Sequence, residues 1–188
     1  MSPTSILTSL TYTVRNFIMV GFILSALPAL AAPIPFTSSS QLISEKNGIY
    51  RSPLGFSIHA GTSGWKPAAP TVKNDFVVAT YKSDVDSSAL TVRIDEIKKP
   101  ITLDEYSKKW LKDYPRFGFD VLTAKKVRVG KEIGYMLDFV SPENKKQLRQ
   151  ILFVKNKNAV TLTCRGEQVG FSKTVRQCNE IIRNFKWN

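Results

Sequence analysis

Several residue types are scarce in this chain, and each scarcity closes off a class of function. It has one histidine, His59, and two cysteines, Cys164 and Cys178, in 188 residues. A structural zinc site takes four ligands, mostly Cys and His, and this set does not supply one. There is no C-x-x-C pair of the kind that tunes a reactive thiol, no glycine-rich phosphate loop, and no G-x-G-x-x-G fingerprint. No segment repeats at a fixed period, which argues against a solenoid. Acids are short as well: 15 Asp and Glu stand against 27 Lys and Arg, a net charge of +12. An excess of this size attracts polyanions such as nucleic acid, anionic lipid head groups and acidic wall polymers. The cations are spread along the chain rather than clustered, so a soluble basic protein with scattered lysines is the plain alternative.

Long hydrophobic runs are also missing. The most apolar stretch, Phe17 to Leu27 (FIMVGFILSAL), falls short of the roughly 20 residues of a membrane span. Arg15 precedes it, and Pro28-Ala29-Leu30-Ala31-Ala32 follows. A cation, a short apolar run and a small-residue end predict a cleavable secretory signal over residues 1–32, cut after Ala31 or Ala32. An uncleaved anchor is the competing reading. No Cys follows the run, which speaks against a lipoprotein. Cleavage removes Arg15 and no acid, so the mature chain carries +11. The expected location is exported, periplasmic or secreted. About one domain of chain remains, long enough to bury a core.

Residues 33–47 are polar and proline-flanked, and read as a flexible lead-in. The single domain is expected over 48–188. Ile49–Arg51 and Phe56–Ile58 flank the turn Ser52-Pro53-Leu54-Gly55, a hairpin. Residues 75–82 and 88–97 are strand candidates, the second alternating Leu90, Val92 and Ile94 against Thr91, Arg93 and Asp95. The period then changes. Thr102 and Glu105 form a capping box, and Leu103, Tyr106, Trp110 and Tyr114 share a helical face. Asp104–Lys108 and Glu105–Lys109 are favourable i,i+4 pairs, and Pro115 should end the helix. Further strands are expected at Phe119–Thr123 with Lys126–Val129, then Ile133–Val140, Leu148–Lys155 and Ala159–Arg165. A last helix runs from about Ser172 to Asn184.

An even cysteine pair in an exported chain usually bridges. Val160, Leu162 and Cys164 share one strand face, and Val175, Cys178, Ile181, Ile182 and Phe185 one helix face. A helix folded back on that strand brings Cys164 and Cys178 together. Two buried thiols, or a redox pair, are the competing readings.

The order strands, helix, strands, helix predicts an α+β fold, an antiparallel β-sheet flanked by helices. The run Tyr50-Arg51-Ser52-Pro53, Gly55-Phe56-Ser57-Ile58 and Gly64-Trp65, the helix start Ile101–Tyr106, the strand Val160–Cys164 and the closing Ile182-Arg183-Asn184-Phe185 resemble the PsbP-like group of α/β/α sandwich domains, with its exported DcrB-like bacterial members. The resemblance covers about 48–187. It implies an α/β/α sandwich and a non-enzymatic accessory role, as for PsbP itself, an extrinsic photosystem II subunit. No metal or photosystem contact of that family matches a position here.

Catalysis needs converging groups. His59 could pair with a nearby hydroxyl or acid in a small secreted hydrolase, but Gly61-Thr62-Ser63-Gly64 is not a strand–elbow–helix nucleophile. Adjacent acids, Asp95/Glu96 and Asp104/Glu105, do not face each other on strand or helix, so no glycosidase-type pair is indicated. Lys125, Lys126, Arg128, Lys131, Lys145, Lys146 and Arg149 form one positive rim if their strands adjoin; otherwise they are a solvated edge, where lysines discourage aggregation. Trp65 is either a surface anchor for a partner or a lid over the core. The sequence therefore predicts an exported, non-enzymatic binding or accessory protein of the cell envelope. It would use no cofactor and contact a protein partner or an anionic polymer through a basic surface. The alternatives are the His59 hydrolase and a hydrophobic-ligand carrier.

Overall fold

A computed structural model of the chain describes residues 43–44, 48–69 and 76–188. The expected signal segment 1–32 and the rest of the expected lead-in lie outside these residues. Ile43–Ser44, expected within that lead-in, form a strand, β1, which pairs with β2 (Ile49–Ser52). β2 and β3 (Phe56–His59) make the predicted hairpin. Its turn closes with the Gly55 amide donating to Ser52 O at 3.1 Å. Gly55 sits at φ 80°, where a side chain is disfavoured.

β4 (Lys66–Pro67), β5 (Val77–Lys82) and β6 (Ala89–Glu96) follow. Helix α1 (Leu103–Asp113) begins on the predicted box: the Glu105 amide donates to Thr102 Oγ1 at 3.2 Å, and the Thr102 amide donates to Glu105 Oε2 at 2.7 Å. Asp104 does not pair within the helix as expected. It binds Lys126 at 2.8 Å instead. α1 ends just before Pro115, as expected, and the chain continues in a 3₁₀ turn, Tyr114–Phe117, that ends at Gly118. A proline fits early in such a turn because its missing N–H has no acceptor there.

Four ten-residue strands then meander: β7 (Asp120–Val129), β8 (Glu132–Ser141), β9 (Lys146–Lys155) and β10 (Asn158–Glu167). The two expected pieces of β7 are one strand with a bulge between Val121 and Thr123. α2 (Phe171–Ile182) and β11 (Lys186–Trp187) complete the chain. The large sheet has the order β4-β5-β6-β10-β9-β8-β7, and the small one β1-β2-β3-β11. The α+β expectation holds, with the two-residue strands β1, β4 and β11 added to it. β11 pairs antiparallel with β3, tying residues 185–188 to the first hairpin.

Alternation along the large sheet makes two cores. On one face Leu90, Val92, Met136, Ile151, Phe153 and Leu162 pack with Tyr50, Phe56, Ile58, Ile181 and Phe185 from the small sheet and α2. Tyr81 locks the small sheet down; its hydroxyl lies 3.1 Å from both Gly48 O and Ile58 O. On the other face Leu137, Phe139, Leu148 and Leu152 meet Tyr106, Trp110 and Tyr114. Gly134 is required where the first core is tightest, since a Cβ there would come within 2.9 Å of Ile151 and 3.0 Å of Phe153.

Cys164 of β10 and Cys178 of α2 form the disulfide. It pins the last helix to the sheet. Closing a loop of this length stabilises a fold by about 3 kcal/mol. Replacing both cysteines by alanine should lower the unfolding free energy by about that amount, read from denaturant curves. A change under about 1 kcal/mol would mean that the packing of α2 alone holds it in place.

Candidate functional site

The basic set is spread along β7, β8 and β9 rather than gathered at one end of the sheet. β8 runs between β7 and β9, and the register sets Lys126 opposite Tyr135 and Tyr135 opposite Leu152, six residues along β9 from Lys146. At about 3.3 Å per residue that is roughly 20 Å. Lys131 therefore lies at the β7–β8 turn and Lys145 and Lys146 at the β8–β9 turn, while Lys125 and Arg149 stand between, two positions apart along the sheet on the same face with β8 separating them. Three of the seven are also committed to acids: Lys126 to Asp104, Lys146 to Glu167, and Arg149 to Asp138 through bonds of 2.7 Å from both Nε and Nη2. Asp138 holds the Arg149 guanidinium in its charged form. Trp65 is no surface anchor: it is 4% exposed and belongs to the first core.

The structure assembles a different basic site. A groove opens between the β7–β8 turn and the closing segment, lined by His59, Lys131, Glu132, Arg183, Lys186 and Trp187. β8 and β9 place Lys155 at the same end of the sheet, and its ammonium stands 5.3 Å from the Trp187 ring centroid. Arg183 pairs with Glu180 at 2.7 Å. Lys131, Lys155 and Lys186 have no ion-pair partner among the described residues. Trp187 is fixed edge-on against Phe56 and Phe185, at 5.6 and 5.5 Å, and Phe185 is stacked on Phe153 at 4.2 Å. The groove thus has cationic rims over a rigid aromatic floor.

Of the residues singled out from the sequence, Lys131 of the basic set and His59 line this groove. Arg183, Lys186 and Trp187 were visible in sequence as a basic-aromatic ending, but nothing there showed that β11 returns to β3. His59 lines the groove because it ends β3. Its main-chain carbonyl accepts from Asn184 Nδ2 at 3.2 Å, but its imidazole bonds no hydroxyl or carboxylate among the described residues. Among them, no three His, Cys, Asp or Glu converge on a metal position. The His59 hydrolase reading therefore has a cleft but no partnered base.

A second groove, at the other end, lies between β9 and the start of α2. Gln147, Arg149, Gln168, Ser172 and Arg176 line it with Phe171 and Val175. So polar a lining is unlike the largely apolar cavity of a hydrophobic-ligand carrier. On the α1 face, Arg93 binds Asp95 at 2.9 and 2.7 Å and stands 5.5 Å from the Trp110 ring centroid. The Tyr106 hydroxyl donates to the same carboxylate. Burial, and then Asp95, push the Tyr106 hydroxyl up to about 12, and burial does the same for Tyr114. Both stay neutral at physiological pH and serve as hydrogen-bonding posts under α1.

No protein-family model matches the chain, and no curated protein matches it by sequence. Solved structures do match in fold. The solution structure of cyanobacterial PsbP (CyanoP) from Synechocystis aligns with a TM-score of 0.56 at 12% identity, over 74% of this chain and 91% of that one. LpqN of Mycobacterium tuberculosis, described as involved in cell envelope biogenesis, aligns with a TM-score of 0.53 at 11% identity, over 81% and 98%. PA94 of Pseudomonas aeruginosa, of unknown function, gives 0.52 at 11%, over 72% and 92%. With most of each chain superposed and a helix on either side of one antiparallel sheet, the protein has the PsbP-like fold.

Proposed function

We propose that the protein is an exported, non-catalytic binding protein of the cell envelope, holding an anionic group of an envelope polymer or protein partner in the groove at the β7–β8 turn. The observation that carries this is the placing of Lys131 and Lys186 on the lining of one groove with Lys155 5.3 Å from its Trp187 ring, none of the three in an ion pair among the described residues and Glu132 the one acid on the lining. Cations on a rigid aromatic floor attract an anion and offer its apolar neighbour a flat surface. The disulfide fits an oxidising compartment, the signal-like segment fits export, and the fold shared with LpqN fits an envelope role.

Titration with polygalacturonate and with polyphosphate tests it. Three neutralised anions make affinity fall on the order of tenfold or more between 50 and 200 mM salt. Replacing Lys131, Lys155 and Lys186 together by Gln should abolish that salt dependence while leaving the melting temperature unchanged. Affinity that the triple variant keeps would remove the groove from the account.

A further inference from the structure

β7 is an odd component of the sheet. It is ten residues long, about 33 Å of extended chain, and stands at the edge of the large sheet with only β8 beside it among the described residues. Seven of its ten residues are exposed, and only Val129 is buried. Its length is not explained by the core. Proteins usually blunt a free edge by shortening it or by charging it; this one is charged but not short.

Its side chains are sorted along its length. Phe117, Val121 and Leu122 lie at its start, with Phe117 72% and Leu122 54% exposed. Four of the eight large exposed hydrophobic residues among those described (these three and Ile133, paired opposite Arg128) lie on or beside this strand. Lys125, Lys126 and Arg128 occupy the other half. Lys125 projects on the α2 face with Val127, whereas Lys126 and Arg128 project on the α1 face. Lys126 is tied to Asp104, but Lys125 and Arg128 have no acid within ion-pair distance.

We propose that β7 is a docking edge for an extended acidic segment of another protein, which adds to the large sheet as an eighth strand. This surface is separate from the groove. Main-chain hydrogen bonds supply attraction, and alternate side chains supply choice. The fitting segment carries two acids three residues apart in one half, one toward Lys125 and one toward Arg128, and aliphatic residues in the other half, against Val121, Leu122 and Phe117. The same lysines repel a second copy of the chain. Antiparallel pairing of two β7 strands centred between Lys125 and Lys126 would set each Lys125 opposite the other copy's Lys126, where like charges oppose association.

A labelled peptide of about ten residues, with Glu in one half and Val and Leu in the other, provides the probe. Fluorescence anisotropy should show binding that weakens with salt, and hydrogen exchange should slow across residues 121–128. The double variant K125E/R128E should bind about tenfold more weakly and should instead take the peptide with Lys in place of Glu. It should keep the polyphosphate binding of the groove, so the two sites fail independently. Equal binding of a neutral peptide, unchanged exchange over 121–128, or dimerisation of the chain through β7 would each overturn the proposal.

Discussion

Replacing Arg149 by Met should destabilise the protein by about 3 kcal/mol, which makes this surface-sounding residue one of the most costly to alter. The side chains of Asp138 and Arg149 are only 10% and 20% exposed. Their two parallel bonds, both 2.7 Å, join neighbouring strands on the α2 face. Removing the guanidinium leaves a carboxylate without its partner in a setting that gives it little water, and breaking such a pair from one side typically costs 3–5 kcal/mol; the residual exposure argues for the lower end. The double variant D138L/R149M should recover most of the loss, since an apolar pair of similar volume needs no charge compensation. Guanidinium unfolding of the three proteins decides it. A single variant within about 1 kcal/mol of wild type would mean that water reaches the pair freely and that its bonds contribute little.

The second large effect is expected at Phe185. Its ring is buried, stacked on Phe153 at 4.2 Å with 14° between planes, and it touches Phe56 and Trp187. Phe185→Ala removes a large apolar surface and leaves a cavity the surrounding strands cannot close, at a cost of about 4 kcal/mol. Because Phe185 holds Trp187 in place, the variant should also weaken polyanion binding at temperatures where it is still folded. Phe185→Leu should cost much less in both respects. Full stability of the alanine variant would mean that residues 185–187 do not pack as described.

The sequence was most legible where a period ran long enough to be read. Leu90, Val92 and Ile94 marked β6, Thr102 and Glu105 marked the start of α1, and the two cysteines marked the join of β10 and α2. Two-residue strands carry no period, so β1 and β11 were invisible, and with them the closing groove. The spread of the basic set was hidden for a different reason. Two successive hairpin turns lie at opposite ends of the strand they share, so Lys131 and Lys145 belong to opposite ends whatever the register, and the strand cations are strung out between them. Composition put those cations in one list, while the meander separates them. Trp65 was ambiguous because a tryptophan in a glycine-rich loop reads the same whether it covers a core or a partner.

The pairing of β11 with β3 bears on the order in which the molecule comes into being. Ser57 Oγ and Asn188 Oδ1 lie 3.4 Å apart across 131 positions of sequence. A chain that grows from its N-terminus at 5–20 residues per second presents the first hairpin on the order of ten seconds before its partner exists. In that interval Phe56 and Ile58 have neither α2 nor β11 to cover them. A holding factor that binds nascent apolar strands would find its target here, and slow closure of this distant contact should set the pace of refolding.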